Sequence, residues 1–106
     1  MRNNILISAA ITLITLTLLS CKTKVQLDAE QGHASAQYKL GMQYANGTEV
    51  EASNQYAHMW LQFSASQGFE KAKKDMQALE EKMSKKEMSQ SKELAEACVI
   101  KYYVDC

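Results

Sequence analysis

Residues 28–68 read DAEQGHASAQYKLGMQYANGTEVEASNQYAHMWLQFSASQG, and the stretch opens and closes on nearly the same phrase, Ala29-Glu30-Gln31-Gly32 and Ala65-Ser66-Gln67-Gly68. A shift of 36 residues lays Ala29 on Ala65, Gln31 on Gln67, Gly32 on Gly68, Ala36 on Ala72 and Leu40 on Met76. Self-similarity at a period in the mid-thirties is the mark of a helix pair that stacks on copies of itself. The pattern points to a binding module rather than an enzyme.

Within the stretch, Ala36, Leu40, Gly41, Tyr44 and Ala45 fall on one helical stripe, so a helix is expected from His33 to Ala45. Gly41 gives up about 1 kcal/mol of helix propensity relative to alanine. The expected return is close approach of the next helix, because glycine puts no side chain at the crossing. Asn46-Gly47 ends this helix with residues that tolerate a left-handed conformation. Residues 48–52 form a loop in which Val50 is the one apolar plug. Ser53 is positioned as an N-cap, and the helix from Asn54 to Ser66 carries Ala57, Trp60, Leu61, Ser64 and Ala65 on one face. Together these make one full unit, residues 33–68. A half unit follows over 69–83, with a stripe of Ala72, Met76, Leu79 and Met83. Ser84-Lys85-Lys86-Glu87 is a capping box. It opens a closing helix with Met88, Ser91, Leu94, Ala95, Cys98 and Tyr102 on one side.

Upstream, Val25 to Gln31 is expected to form a short helix stopped by Gly32, and Lys22 to Leu27 reads as a polar tether. Arg2 precedes an uncharged run from Ile5 to Leu19, shorter than the roughly 20 apolar residues a permanent span needs and of the kind found in a signal peptide. Leu18-Leu19-Ser20-Cys21 resembles the bacterial lipobox. The resemblance implies cleavage after Ser20 and lipid on the Cys21 thiol and its new amino terminus, a two-chain anchor of the kind that holds stably. Lys22, where an aspartate would signal retention at the inner membrane, implies the outer membrane.

The chain has 106 residues with 12 basic and 12 acidic side chains, and loss of Arg2 with the leader keeps it close to neutral. No basic patch argues for nucleic acid. Proline is absent, and the Ala, Met, Lys, Glu and Gln content favours helices throughout. Of three cysteines, Cys21 is assigned to lipid, which leaves Cys98 and Cys106 to pair in an exported protein. Eight residues of straight helix span about 12 Å, whereas a disulfide tolerates about 7 Å between Cα atoms. The chain must therefore leave the helix between Lys101 and Asp105 and fold back.

Ala34, Ala36, Gln37, Tyr38, Leu40, Gly41, Tyr44 and Gly47, followed by Val50, Ala57, Trp60, Ala65 and Gly68, resemble the Sel1-like repeat, a relative of the tetratricopeptide repeat. Thr48-Glu49 replaces the family's glycine-containing turn, and Phe63-Ser64 stands where alanine is common. The resemblance implies an all-α fold, a right-handed array of helical hairpins, and a role in protein–protein interaction. The Cys-x7-Cys spacing also resembles the cysteine-rich secreted branch of the family, some of which is linked to penicillin binding.

The organisation expected is a lipoprotein-type signal peptide at 1–20, a lipidated tether at 21–27, the repeat region at 28–83, and a disulfide-closed capping helix at 84–106. Catalysis finds few carriers. His33, at a helix start, and His58, on the polar side of its helix, are expected to be solvated. No His/Cys/Asp cluster has zinc spacing, and no cofactor or metal is expected. Ser89-Gln90-Ser91-Lys92 matches the Ser-x-x-Lys of β-lactamases but lacks the companion motifs. Trp60 and Tyr44 fall on packing stripes. Tyr38 and Tyr56 lie off them and, with Gln37 and Lys39, are the candidate contacts for a protein or peptide partner. The expectation is a monomeric, membrane-anchored interaction module. The alternatives are a β-lactam-binding or β-lactamase-like protein, a toxin-specific immunity protein, or a structural envelope component.

Overall fold

The computed structural model describes residues 21–106, which hold five α-helices and no strand. They are α1 (Lys24–Glu30), α2 (Ala34–Asn46), α3 (Asn54–Ser66), α4 (Glu70–Glu80) and α5 (Lys85–Ile100). The signal peptide expected over 1–20 lies outside the described residues.

The caps follow from local chemistry. The Ser53 hydroxyl accepts from the Tyr56 amide at the start of α3, and Ser84 and Glu87 form the reciprocal capping box of α5. Gly47 ends α2 at φ 68°, its amide donating to the Gln43 carbonyl. Helices α1 and α3 share a second kind of stop. The Gly32 amide donates to Ala29 and the His33 amide to Asp28; the Gly68 amide donates to Ala65 and the Phe69 amide to Ser64. Both glycines sit at positive φ, 90° and 86°, the left-handed position such a helix stop requires. This accounts for the glycine that recurs in the two Gln-Gly phrases. Helix α1 begins at Lys24, inside the stretch read as tether, because Thr23 and Gln26 form a second capping box.

Helix α3 is the centre. It packs against α2, α4 and α5, while α1 lies on α2 and α4 barely touches α5. With neighbours on three sides, α3 buries Ala57, His58, Met59, Trp60, Leu61, Phe63 and Ser64. The single face expected for it is corrected to burial nearly all round, as befits a helix enclosed by others. Leu40, Trp60, Met59, Phe63, Ala95 and Cys98 form the heart of the core. Trp60 meets Phe63 edge-on with ring centroids 5.7 Å apart, and Phe63 meets Tyr103 at 5.0 Å.

The crossing of α2 and α3 is at Gly41. A Cβ built there would lie 2.9 Å from Leu61 Cγ and 3.1 Å from the Leu61 backbone nitrogen, so the close approach expected of this glycine is present. At the other end of the chain, Cys98 and Cys106 are bonded, with Cα atoms 5.5 Å apart. Helix α5 stops at Ile100. The Tyr103 amide then donates to Cys98 and the Tyr102 amide to Val99, the same stop as at Gly32 and Gly68 but with Tyr102 in the left-handed position at φ 54°.

Candidate functional site

Two clefts flank α3. The first, about 420 Å³, runs between α3 and α5 and is lined by Tyr56, Leu94 and Ala97 with Gln55, Gln90 and Glu93 at its edge. Serine-capped entry into α3 fixes Tyr56 in its first turn. The Tyr56 ring stacks on Tyr44 with centroids 5.2 Å apart and planes 22° apart. Burial, with the neighbouring Tyr56, pushes the Tyr44 hydroxyl up from its ordinary value. Gln55 Nε2 donates to Gln90 Oε1 at 3.0 Å and Asn54 Nδ2 to Glu87 Oε1 at 3.3 Å, so amide side chains tie α3 to α5 beside the apolar lining. An aromatic floor with a few amides near it suits a short peptide segment: apolar area gives affinity and the amides orient it.

The second cleft, about 600 Å³, opens where α4 and α5 diverge. Met76 and Met88 line it together with His58, Glu80, Ser89 and Lys92. Beneath it lies a relay across three helices. His58 Nδ1 is 2.7 Å from Ser91 Oγ, and His58 Nε2 is 2.8 Å from Glu80 Oε1. The composition is that of an acid–histidine–serine triad, but Ser91 is fully buried, so its hydroxyl meets neither solvent nor substrate. Both ring nitrogens of His58 are occupied. Ser89 and Lys92 are exposed above the relay, and no hydrogen bond joins them among the described residues. The arrangement ties α3, α4 and α5 together. His58, expected on a solvated polar face, is only 6% exposed; the third neighbour of α3 covers that face.

The four candidate contact residues do not share one surface. Gln37 is fully buried. Its Nε2 donates to the Ala29 carbonyl at 3.3 Å, and its Oε1 accepts from Gln67 Nε2 at 2.7 Å. The expectation that it faces a partner is corrected: it links α1, α2 and the end of α3. Tyr38 is half-buried, its hydroxyl donating to Asp75 Oδ2 at 2.6 Å and its ring packing on Phe69 with Lys71 Nζ 5.4 Å from its centroid. Burial, and then the bond to Asp75, push the Tyr38 hydroxyl up to about 12. Lys39 is exposed beside it. Of the four, Tyr56 lines the cleft between α3 and α5. A stripe counts the one neighbour that the sequence implies, and α2 has contacts beyond it, which explains why Gln37 and Tyr38 turned inward.

Cys21 is exposed with a free thiol. Next to it, Lys22 Nζ bonds Glu30 at 2.9 Å and also Asp105. The Asp105 bond, with Glu30 adding to it, raises the Lys22 ammonium above its ordinary value, and Lys22 holds the Asp105 carboxyl below the usual carboxylate range. The Asp105 amide in turn donates to Glu30 at 3.2 Å. No cluster of three or more His, Cys, Asp or Glu suited to a metal ion occurs among the described residues. None of the described helices is long and apolar enough to cross a membrane.

Sequence reasoning missed Glu80 and the inward side of His58. A signal was present in the unbroken run Ala57-His58-Met59-Trp60-Leu61, where a lone polar residue inside five implies a buried group with a partner. In comparison with known proteins, the chain matches no family model, no curated protein and no solved structure.

Proposed function

We propose that this chain is an envelope lipoprotein, anchored through lipid on Cys21, whose helical domain binds a protein or peptide segment without catalysing a reaction. In this reading the domain is a Sel1-like array of one full unit and half of a second, closed by α5, and it acts as a monomer at the outer membrane. The observation that carries the binding role is the cleft between α3 and α5, where Tyr56 presents one side of its ring while Tyr44 backs the other. The repeat reading draws support from the recurrence of one helix stop, with the same pair of backbone bonds, at Gly32 and at Gly68. It also draws on the starts of α2 and α4 at Ala34 and Glu70, the same 36-residue shift. The anchor reading rests on Leu18-Leu19-Ser20-Cys21 and on the exposed Cys21 thiol.

The test is a photo-cross-linking amino acid placed at Tyr56 and, separately, at the exposed Lys73 on α4. A discrete adduct in intact cells from position 56 and none from position 73 supports the cleft. Adducts of the same pattern from both positions, or none from position 56, oppose it.

A second reading, β-lactam hydrolysis, draws on the placement of Ser89 and Lys92 in the cleft above His58 and Glu80. It requires that purified protein turn over nitrocefin and that Ser89→Ala abolish the turnover.

A further inference from the structure

The last turn of α5 and the turn that follows it leave apolar side chains that no other helix covers. Val99, Ile100, Tyr102 and Val104 are 52, 79, 83 and 47% exposed. Their neighbours are accounted for: Cys98 is in the core and Tyr103 packs on Phe63. The turn thus sorts its residues, Tyr103 inward, Tyr102 and Val104 outward. Lys101 is exposed between them. Aliphatic groups beside an outward tyrosine and a lysine are the mixture found where protein meets the headgroup layer of a bilayer.

Where this turn sits decides what faces it. Only Lys22 and Thr23 separate Cys21 from the first residue of α1, a link of roughly 10 Å at full extension. Both are held. Thr23 caps α1, and Lys22 is bonded to Glu30 and to Asp105, the residue after Val104. Cys21 also lines one cleft, about 330 Å³, together with Asp105 and Cys106. Cys21, the proposed point of lipid attachment, and the apolar turn therefore lie beside each other.

We infer that Val99, Ile100, Tyr102 and Val104 form a membrane seat, a surface that rests on the bilayer into which the Cys21 acyl chains insert. The inference rests on the lipid-anchor reading of Cys21. With so short a link, the domain does not swing freely from its anchor. It lies with the C-terminal turn in the headgroup layer.

The experiment uses the full chain purified from membranes and reconstituted into vesicles of phosphatidylethanolamine and phosphatidylglycerol, with or without brominated acyl chains. Tyr102→Trp places a fluorophore on the seat, and the wild type, whose Trp60 is buried, supplies the background. The expected result is that Tyr102→Trp loses fluorescence in brominated vesicles beyond the wild-type loss, and that adding Ile100→Asp removes the extra quenching. Circular dichroism verifies that both variants fold, which their exposure favours. No extra quenching in Tyr102→Trp, or a dimer that forms through this turn and is dissolved by Tyr102→Asp, overturns the seat. Intact mass separately reports acylation. An unmodified Cys21 refutes the anchor reading, and the quenching still decides whether the turn meets lipid.

Discussion

At Gly41 the chain has no room for a methyl group. A Cβ there would press on Leu61 Cγ and on the Leu61 backbone, and backbone cannot move aside as a side-chain tip can. Gly41→Ala gains about 1 kcal/mol of helix propensity but incurs an overpacking cost of about 1–3 kcal/mol. The expected outcome is net destabilisation of about 1 kcal/mol, seen as a lower midpoint in urea unfolding. An unchanged or raised midpoint would show that the crossing is looser than described. His58 works through polar contacts. His58→Ala leaves the fully buried Ser91 hydroxyl and one oxygen of Glu80 without their partner. An unpaired buried group costs about 1–3 kcal/mol, so the urea midpoint should fall, and pairing the change with Ser91→Ala should lose less than the two single effects combined. Additive losses would mean the relay is not a unit.

Among the elements, the ends of helices were the most legible features. Ser53, Ser84 with Glu87, Gly47 and Gly68 each act through backbone bonds within a few residues, so their roles are written locally. Thr23-x-x-Gln26 was equally local and marks where α1 starts. What could not be read was how many neighbours each helix has. Helix α3 looks one-sided if Ala57, Trp60 and Leu61 are counted alone, yet Met59 and Phe63 form a second buried row and His58 a third contact. That depends on α5 returning to pack on α3, through pairs 33 to 35 residues apart in sequence, which no local pattern specifies. The same limit hid Gln37, whose partners are Ala29 and Gln67. The α5 terminus shows the opposite case. The spacing of Cys98 and Cys106 calls for an exit from the helix between Lys101 and Asp105, and α5 ends just before that range, at Ile100, with the two cysteines joined. In the chain-entropy account, closing this nine-residue loop is worth roughly 2.5 kcal/mol. Cys98→Ser, or reduction of the wild type, should therefore lower the melting temperature by about 10 °C or more, measured by circular dichroism. A melting temperature indifferent to reductant would mean that Tyr103 packing, and not the bridge, holds the turn.

For the whole molecule, Cys21, the Lys22–Asp105 bridge and the apolar turn lie side by side, and α3 stands at the centre with a cleft on either side. With α2, α4 and α5 all packed against α3, the surface left for the proposed partner is short, suited to a peptide segment or a single helix. The membrane seat depends on the lipid anchor at Cys21. Metabolic labelling of the producing cells with an alkyne fatty acid tests it most directly. The wild-type chain is expected to take up the label and Cys21→Ala is not; an unlabelled wild type, or label that survives Cys21→Ala, overturns the lipid anchor.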